Sequence, residues 1–216
     1  MFENRIELDD RDSWLAERRK LVMASDCAVV MGASPWKTLP QLFDEKQGRD
    51  TARPIPKELA ERGHACERSL FLLCSYDFPD WKFEWHEFDI ITSKKYSWMG
   101  ATLDGEILTA DGKRGVLEIK TADATRRDSY DAWGPDYVPA PYMWQVAHQL
   151  IVTEADFALM LARIFRRRMN DPCPLVEERY YFFDRDWAMA SEKEIVEAEK
   201  AFIDSVKENR RPRLEI

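Results

Sequence analysis

The sequence predicts an α/β fold of the α+β kind, with a central mixed β-sheet flanked by helices. The chain has 216 residues, of which 45% are hydrophobic, enough for the core of one domain. Apolar side chains recur at helical spacing in the first part of the chain and alternate with polar ones in the next part. Helical and strand-like patterns then follow each other in turn. The order is therefore helices, three strands, a helix, two strands and a last helix. This order favours one mixed sheet in a single domain over residues 1–216.

The helices are recognised by apolar spacing and by residues suited to their ends. Asp9 and Asp10 favour a helix start, and Ser25 can cap a short second helix that reaches Met31. Gly48 ends the third helix. The predicted helices are 10–23, 25–31, 39–46, 58–75, 140–153 and 186–209.

The strands are recognised by the alternation of apolar and polar side chains, which is typical of a half-buried strand. The predicted strands are 82–90, 99–108, 115–121, 157–165 and 178–183. The second and third of these flank Asp111-Gly112, which is a hairpin signal.

Glu118 and Lys120 lie two residues apart on a predicted strand, so both point to one face. An exposed edge strand with mixed charges shows the same pattern. A turn centred on Asp111 places Asp104 opposite Glu118 and Thr102 opposite Lys120. Two facing carboxylates repel each other unless a cation lies between them, and a hard divalent ion prefers oxygen ligands. The register therefore predicts a metal site. It requires an odd-length loop or a bulge, because a one-residue slip turns Asp104 to the other face.

The net charge of −8 argues weakly against a nucleic-acid partner, because phosphates attract basic surfaces. Basic residues are nevertheless clustered, although any one cluster can be an ordinary solvated face. The clusters are Arg18–Lys20, Lys94–Lys95, Arg126–Arg127, Arg166–Arg168 and Arg210–Arg211. No apolar stretch is long enough to span a membrane, and the N-terminus lacks the apolar core of a signal peptide. We therefore expect no membrane contact and a cytosolic location.

The four cysteines, Cys27, Cys66, Cys74 and Cys173, form no Cys-x-x-Cys pair. Two disulfides and a four-cysteine iron–sulfur site stay open as alternatives. Buried free thiols fit the scattered spacing best.

Asp104 and the later Glu118-Ile-Lys120 together resemble the D…(D/E)xK core of restriction-endonuclease-like nucleases, although so short a pattern is common. The surrounding motifs resemble the phage lambda exonuclease family, the alkaline exonucleases and YqaJ-like viral recombinases of phage recombination systems. In chain order the motifs are Trp14-x-x-x-Arg18 with Ala24-Ser25-Asp26, Gly63-x-x-x-Glu67, Gly100-Ala-Thr-Leu-Asp104-Gly105, Leu117-Glu118-Ile119-Lys120 and Pro141-Tyr142-Met143-Trp144-Gln145-Val146. Thr102-Leu103 departs from the Ser-Pro that the family often has, but Thr102 keeps a hydroxyl.

The resemblance implies a restriction-endonuclease-like core and a Mg²⁺ site at which Mn²⁺ can substitute. Asp104, Glu118 and the backbone carbonyl of Ile119 would bind the metal, and Glu67 would be an outer ligand. Two carboxylates can hold Mg²⁺ against a phosphate, and the bound ion lowers the pKa of a water molecule. Taken without the resemblance, Glu67 is an ordinary solvent-facing charge on a helix.

Two further residues complete the implied catalytic set. Lys120 would position or deprotonate the attacking water, and Gln145 would orient the lysine or the water. Gln145 shares a helix face with Tyr142 and Gln149. Without the resemblance, Lys120 is a surface ammonium and Gln145 a cap or surface residue.

The resemblance also implies that Arg18, Ser25, Thr102 and Arg126 bind the 5′-phosphate of a DNA end. An arginine fork suits a phosphate, and so does the N-terminus of a helix. The alternatives are that Ser25 is a cap and nothing more, and that Arg126 is a surface charge whose place Arg127 takes.

The expected function is a Mg²⁺-dependent 5′-to-3′ double-strand DNA exonuclease that leaves a 3′ overhang for single-strand annealing. The resemblance implies a ring-shaped homotrimer, a single-strand annealing partner, and a phage or prophage origin in the bacterial cytosol. One alternative is a structure-specific or restriction-type endonuclease with the same core. Another is a DNA-binding module with a degenerate site. Trp36 would be a wedge at the terminal base pair, or else a core residue.

Overall fold

The computed structural model describes residues 2–49, 57–124, 127–166 and 175–213. The helices are α1 (Arg11–Lys20), α2 (Ala24–Val30), α3 (Leu39–Lys46), α4 (Lys57–Asp77), α5 (Arg127–Asp131), α6 (Ala140–Thr153), α7 (Arg185–Met189) and α8 (Glu192–Lys207). The strands are β1 (Arg5–Ile6), β2 (Val22–Met23), β3 (Lys82–Glu84), β4 (Ile90–Thr92), β5 (Met99–Ala101), β6 (Gly105–Leu108), β7 (Arg114–Asp123), β8 (Phe157–Arg166) and β9 (Leu175–Asp184).

The central sheet has five strands in the order β3-β6-β7-β8-β9. β7 and β8 are parallel, and the other neighbouring pairs are antiparallel. The crossover between the parallel strands carries α6, as parallel pairing requires. A mixed sheet flanked by helices is therefore confirmed.

A second sheet, ordered β1-β4-β5-β2, shows that the expectation of one sheet was wrong. The predicted strand 82–90 is broken, because Phe88 has a φ of +58° and no strand continues through that region. Its C-terminal end becomes β4, which pairs with β1 and β5 rather than with the central sheet.

The predicted strand 99–108 is also broken, and its halves belong to different sheets. β5 pairs with β2 and β4, whereas β6 pairs with β3 and β7. Gly100 allows Leu21 to pack closely against β5, because a Cβ at this position would lie 2.8 Å from Cδ1 of Leu21. The chain therefore leaves one sheet at Ala101 and enters the other at Gly105. For this reason Thr102 does not pair with Lys120, contrary to the prediction.

The β6–β7 hairpin confirms the register predicted around Asp111. Residues Gly105–Leu108 pair with residues Arg114–Leu117 in the expected order. The loop between them spans 109–113, and Gly112 adopts the left-handed conformation at φ +85°. The ladder ends at Gly105, so Asp104 extends just past it on the side of Glu118.

The predicted helices 10–23, 39–46, 58–75 and 140–153 correspond to α1, α3, α4 and α6. Asp10 caps α1 by accepting from the amide of Ser13 at 2.8 Å. Ser25 is not a cap: α2 begins at Ala24, and the carboxylate of Asp26 accepts from the amide of Met23 at 3.0 Å. The predicted final helix is divided at residues 190–191 into α7 and α8, although its apolar spacing continues.

Helices cover both faces of β7. On one face, Val146 and Leu150 of α6 pack in the same core as Val116. On the other, Leu70 of α4 packs with Leu117. Full burial of one such side chain contributes about 1.5–3 kcal/mol. Because helices cover both faces, β7 has a nearly continuous apolar run. Glu118 lies on the buried face under α6, so the alternative of an exposed edge strand is wrong.

Cys27 and Cys74 are buried free thiols and Cys66 is a half-buried one, as expected. Cys173 lies outside the described residues. Within the described part of the chain, no helix has the length and apolar character needed to cross a membrane.

Candidate active site

Glu118 lies on β7 beneath α6, and its carboxylate is only 2% exposed. Lys120 Nζ lies 2.5 Å from Oε1 of Glu118, and Gln145 Nε2 donates to the same oxygen at 2.7 Å. Gln149 Nε2 donates to Oε2 at 2.5 Å. The structure thus brings three predicted site residues together and adds Gln149. The spacing of Gln145 and Gln149, one helical turn apart, was the available signal for this fourth residue.

Asp104 meets β7 where the β6 ladder ends. Its Oδ2 accepts a hydrogen bond from the amide of Ile119 at 2.7 Å. The N–H and C=O of one strand residue point to the same side, so the carbonyl of Ile119 faces the Asp104 side as well. Asp104 and this carbonyl therefore lie at the edge of β7 beyond the β6 ladder, and Glu118, on the adjacent α6 face, is close enough for its charge to raise the pKa of Asp104.

The electrostatics of this edge favour a bound cation. Burial raises the pKa of Asp104 well above its ordinary value, and the carboxylates of Glu118 and Glu67 raise it further. Burial alone lowers the pKa of Lys120, but the carboxylates of Glu118 and Asp104 outweigh it, so this pKa is raised. Crowded carboxylates with an adjacent carbonyl are the donor set that Mg²⁺ prefers, so the residues fit the predicted metal.

Glu67 of α4 lies close enough to Asp104 for its charge to raise that residue's pKa. Among the described residues, two sets of three ligating side chains have donor atoms within 4.8 Å of one another, and neither includes Glu67. One set is Cys27, His148 and Glu199, and the other is Glu84, His86 and Glu106. Glu67 is thus near the carboxylate pair without closing a three-ligand cage, a position that suits an outer ligand.

Three of the four predicted phosphate-binding residues meet in one place. Arg18 Nη1 donates to Oγ1 of Thr102 at 3.2 Å, and Nη2 donates to Oγ of Ser25 at 3.1 Å. Trp14 joins them: its indole Nε1 donates to Oγ1 of Thr102 at 3.3 Å, and the Arg18 guanidinium lies 4.3 Å from its ring centroid. Arg126 lies outside the described residues. The four-residue spacing of Trp14 and Arg18 on α1 was the signal for this contact.

A buried ion pair between Lys46 and Asp26 contacts the backbone of Arg18. Lys46 Nζ lies 2.6 Å from Oδ2 of Asp26 and donates to the backbone carbonyl of Arg18 at 2.9 Å. Burial alone raises the pKa of Asp26, but the cations of Lys46 and Arg18 outweigh it and lower this pKa. The sequence motif contained Asp26, but nothing in it indicated Lys46.

The polar pocket formed by Arg18, Ser25 and Thr102 is joined to the carboxylate pair by one short segment of chain. Thr102 lies in the pocket, and Asp104, two residues later, lies at the edge of β7. A phosphate held by Arg18 would therefore lie next to the carboxylate pair. Trp36 is 67% exposed, so the alternative that it is a core residue is wrong.

A family model for the YqaJ-like viral recombinase domain matches residues 13–156, two thirds of the chain. The chain belongs to the YqaJ-like viral recombinase family. The family predicted from the sequence motifs is thereby confirmed. The matched range contains the polar pocket, both carboxylates and the whole of α6.

Similar proteins differ in their sequence identity to the chain and in the share of their length that the chain covers. The uncharacterized protein YqaJ of Bacillus subtilis (strain 168) is 28% identical over 147 residues, which cover 68% of the chain and 44% of YqaJ. The chain thus spans less than half the length of this curated relative. The alkaline exonuclease LHK-Exo from Laribacter hongkongensis has a TM-score of 0.61 at 17% identity, over 93% of the chain and 94% of LHK-Exo. LHK-Exo in complex with dAMP has a TM-score of 0.63 at 18% identity and the same coverage. These structures share the fold.

Proposed function

We propose that this YqaJ-like domain, as a single nuclease domain over residues 1–216, is a Mg²⁺-dependent exodeoxyribonuclease. It would degrade double-stranded DNA from a 5′-phosphorylated end and leave a 3′ single strand. The observation that carries the proposal is the short segment that places Thr102 in the polar pocket and Asp104 at the carboxylate edge. A pocket that binds the terminal phosphate beside the site of cutting would direct hydrolysis to the phosphodiester bond nearest the end, so that nucleotides are removed from that end. Family membership and the shared fold of the alkaline exonuclease LHK-Exo support it.

The residues of the chain divide the work between binding and chemistry. Arg18 offers a fork of N–H donors for two phosphate oxygens, and Ser25 and Thr102 offer hydroxyl donors beside it. Asp104 and Glu118 would hold Mg²⁺, or Mn²⁺ in its place, with the Ile119 carbonyl. The metal, when bound, stabilises charge on the phosphate and activates a water molecule.

Lys120 and the two glutamines act around Glu118. Lys120 Nζ, at 2.5 Å from Oε1, would orient the water and stabilise the charge that develops on phosphate oxygens. Gln145 and Gln149 donate to both oxygens of Glu118 and so fix its carboxylate plane. Preorganised groups of this kind lower the barrier because they need no rearrangement during the reaction.

The test is product analysis on linear duplex DNA in Mg²⁺, labelled at either end and carrying a 5′-phosphate or a 5′-hydroxyl. We expect mononucleotides from the 5′-phosphorylated strand and much slower cutting of the hydroxyl end. Equal rates on both ends would contradict the phosphate pocket. Cutting of covalently closed circles would favour an endonuclease. If wild type and Lys120→Ala behave alike in the metal-dependent assay because neither cuts, a DNA-binding module with a degenerate site would be favoured.

We further propose a ring-shaped homotrimer, a single-strand annealing partner, and action in the cytosol of a phage-bearing bacterium. A closed ring could turn the basic clusters toward DNA while the whole chain keeps its charge of −8. Light scattering should give about three times the protomer mass of 25.4 kDa. A monomer at the concentrations used in the cleavage assay would contradict the ring without touching the site.

A further inference from the structure

Trp36 is held out into solvent by an ordered loop between α2 and α3. It is 67% exposed, whereas the other seven tryptophans are buried or half-buried. The hydroxyl of Ser34 accepts from the amides of Trp36 and Lys37, both at 3.3 Å. Gly32 starts the loop at a φ of +68°, a conformation that side chains rarely adopt. A large aromatic ring is therefore presented on a fixed loop instead of being packed away.

The rings of Tyr142 and Trp36 form a row that begins beside Lys120, the proposed catalytic lysine, and ends at Trp36. Its centroid lies 5.8 Å from that of Tyr142, with 31° between the planes. Tyr142 lies one turn before Gln145 on α6, and Lys120 Nζ lies 5.0 Å from the centroid of its ring. Trp133 packs on Tyr142 at 5.3 Å and supports the row from the core. The row leads from the ammonium to open solvent.

A nucleobase is the occupant that this geometry fits. Every base has a π-face, and bases stack on exposed aromatic side chains without sequence preference. On the proposed function, Lys120 faces the phosphate that is cut, so Trp36 lies where a base attached near that phosphate would extend. We propose that Trp36, backed by Tyr142, is a stacking subsite for an unpaired nucleobase of the strand being cut. This inference rests on the proposed nuclease function.

The first measurement is binding in Ca²⁺, a hard cation that takes the same oxygen ligands, so that affinity is read separately from cleavage. The probe is a fluorescently labelled duplex with a 5′-phosphate and a frayed end, followed by anisotropy. We expect Trp36→Ala to weaken binding roughly 5- to 160-fold, the range for loss of one base stack. Trp36→Phe keeps a π-face and should lose much less. Tyr76→Ala is the matched control, because Tyr76 is 81% exposed on α4 and should not change binding.

The second measurement separates stacking from a general loss of structure. Duplexes carry an abasic residue at the first, second or third position from the 5′ end, and each is bound by wild type and Trp36→Ala. If a base stacks on Trp36, removing either partner loses the same contact, so the two losses are not additive. We expect the Trp36→Ala loss to disappear at one of the three positions.

The outcomes separate this subsite from the proposed function. An equal Trp36→Ala loss on every abasic duplex, or no loss on the intact one, overturns the stacking subsite. A wild-type chain that does not bind the duplex end overturns it too. A chain that binds and shows the non-additive loss, but does not cut in Mg²⁺, contradicts the exonuclease proposal and leaves the subsite standing.

Discussion

Asp104 is the residue at which folding and the proposed metal site oppose each other. Its pKa is raised by burial and by the carboxylates of Glu118 and Glu67. A carboxyl group whose pKa is raised on folding adds stability below its unfolded pKa, about 3.9, and loses it as pH rises through the folded pKa. Near neutral pH the buried charge of Asp104 therefore lowers the stability of the metal-free chain, and we expect a bound divalent cation to relieve this cost.

We predict that Asp104→Asn stabilises the metal-free protein near neutral pH, because a neutral carboxamide removes the cost of burying a charge beside Glu118 and Glu67. The carboxamide oxygen can still accept from the amide of Ile119, so the local fold is kept. We expect Mg²⁺ to raise the Tm of wild type, and the same variant should lose this rise together with nuclease activity. Thermal unfolding with and without Mg²⁺ measures both effects. A variant that Mg²⁺ stabilises as strongly as wild type would show that Asp104 is not a ligand.

The hairpin register predicted the position of Asp104 correctly, but it failed for Thr102, which lies beyond the end of β6 and is not opposite Lys120. The hairpin turn at Asp111 determined which face Asp104 shares with Glu118, and the structure has that register. Gln149 and Trp14 were within reach of the same logic, since each lies one turn from a predicted site residue. Lys46 was not, because its contact with Asp26 depends on how α3 packs, and no local pattern encodes that packing.

At the scale of elements, α6 connects the two halves of the site. Its Gln145 and Gln149 bind Glu118 on the central sheet. Its His148 is fully buried, with Nε2 at 3.0 Å from the carbonyl of Gly100 on β5 and Nδ1 at 2.7 Å from Oε1 of Glu199 on α8. A carbonyl only accepts, so Nε2 must carry a proton, and Nδ1 and Glu199 share a second one.

We predict that His148→Ala lowers the free energy of unfolding by about 3–5 kcal/mol, because it leaves the buried Glu199 without its partner. Glu199→Gln, which removes the charge but keeps the shape, should cost less. Urea unfolding of both variants tests this. Similar losses in both would mean that the lost ion-paired hydrogen bond, which both variants remove, sets the cost, and not a stranded charge or lost packing.

The same pair predicts a pH dependence of stability. Burial alone lowers the pKa of His148, but the Glu199 carboxylate outweighs it, so the pKa is raised in the folded state. The resulting stability is fully present below the unfolded pKa, about 6.5, and is lost as pH rises through the folded value. The stability difference between wild type and His148→Gln should therefore shrink as pH rises through the range above about 6.5. A constant difference across this range would contradict the shared-proton arrangement.

Elements with strong periodicity were predictable, and their interruptions were not. Helices 39–46 and 140–153 have the predicted bounds. The break between β5 and β6 is not visible in the alternation, because residues on both sides continue the pattern of a buried strand. It arises from pairing with β2 and β4, which are distant in sequence. The second sheet, and with it the placement of Thr102 beside Arg18, could only come from tertiary structure.

At the scale of the whole molecule, the chain has a net charge of −8, whereas the proposed substrate, DNA, is a polyanion. The net charge of the chain does not attract DNA, so the affinity has to come from the arrangement of local basic groups. Binding then depends on local groups that are desolvated and already positioned. The Arg18 guanidinium, with its hydroxyl neighbours at 3.1 and 3.2 Å and its backbone held by Lys46, is such a group.

We predict that Arg18→Ala removes the preference for a 5′-phosphorylated end without abolishing cutting. For this variant, the slope of log affinity against log salt concentration should decrease in magnitude by about 1 on phosphorylated ends, the value for one lost phosphate contact. On hydroxyl ends the slope should stay unchanged. Lys94→Ala removes one positive charge at an exposed site paired with Glu3, so it is the matched control and should affect both ends equally. If Lys94→Ala and Arg18→Ala change both ends alike, discrimination arises from the field of the whole molecule and not from the pocket. Titrations of both variants against both ends, at several salt concentrations, decide between a local and a global origin of end recognition.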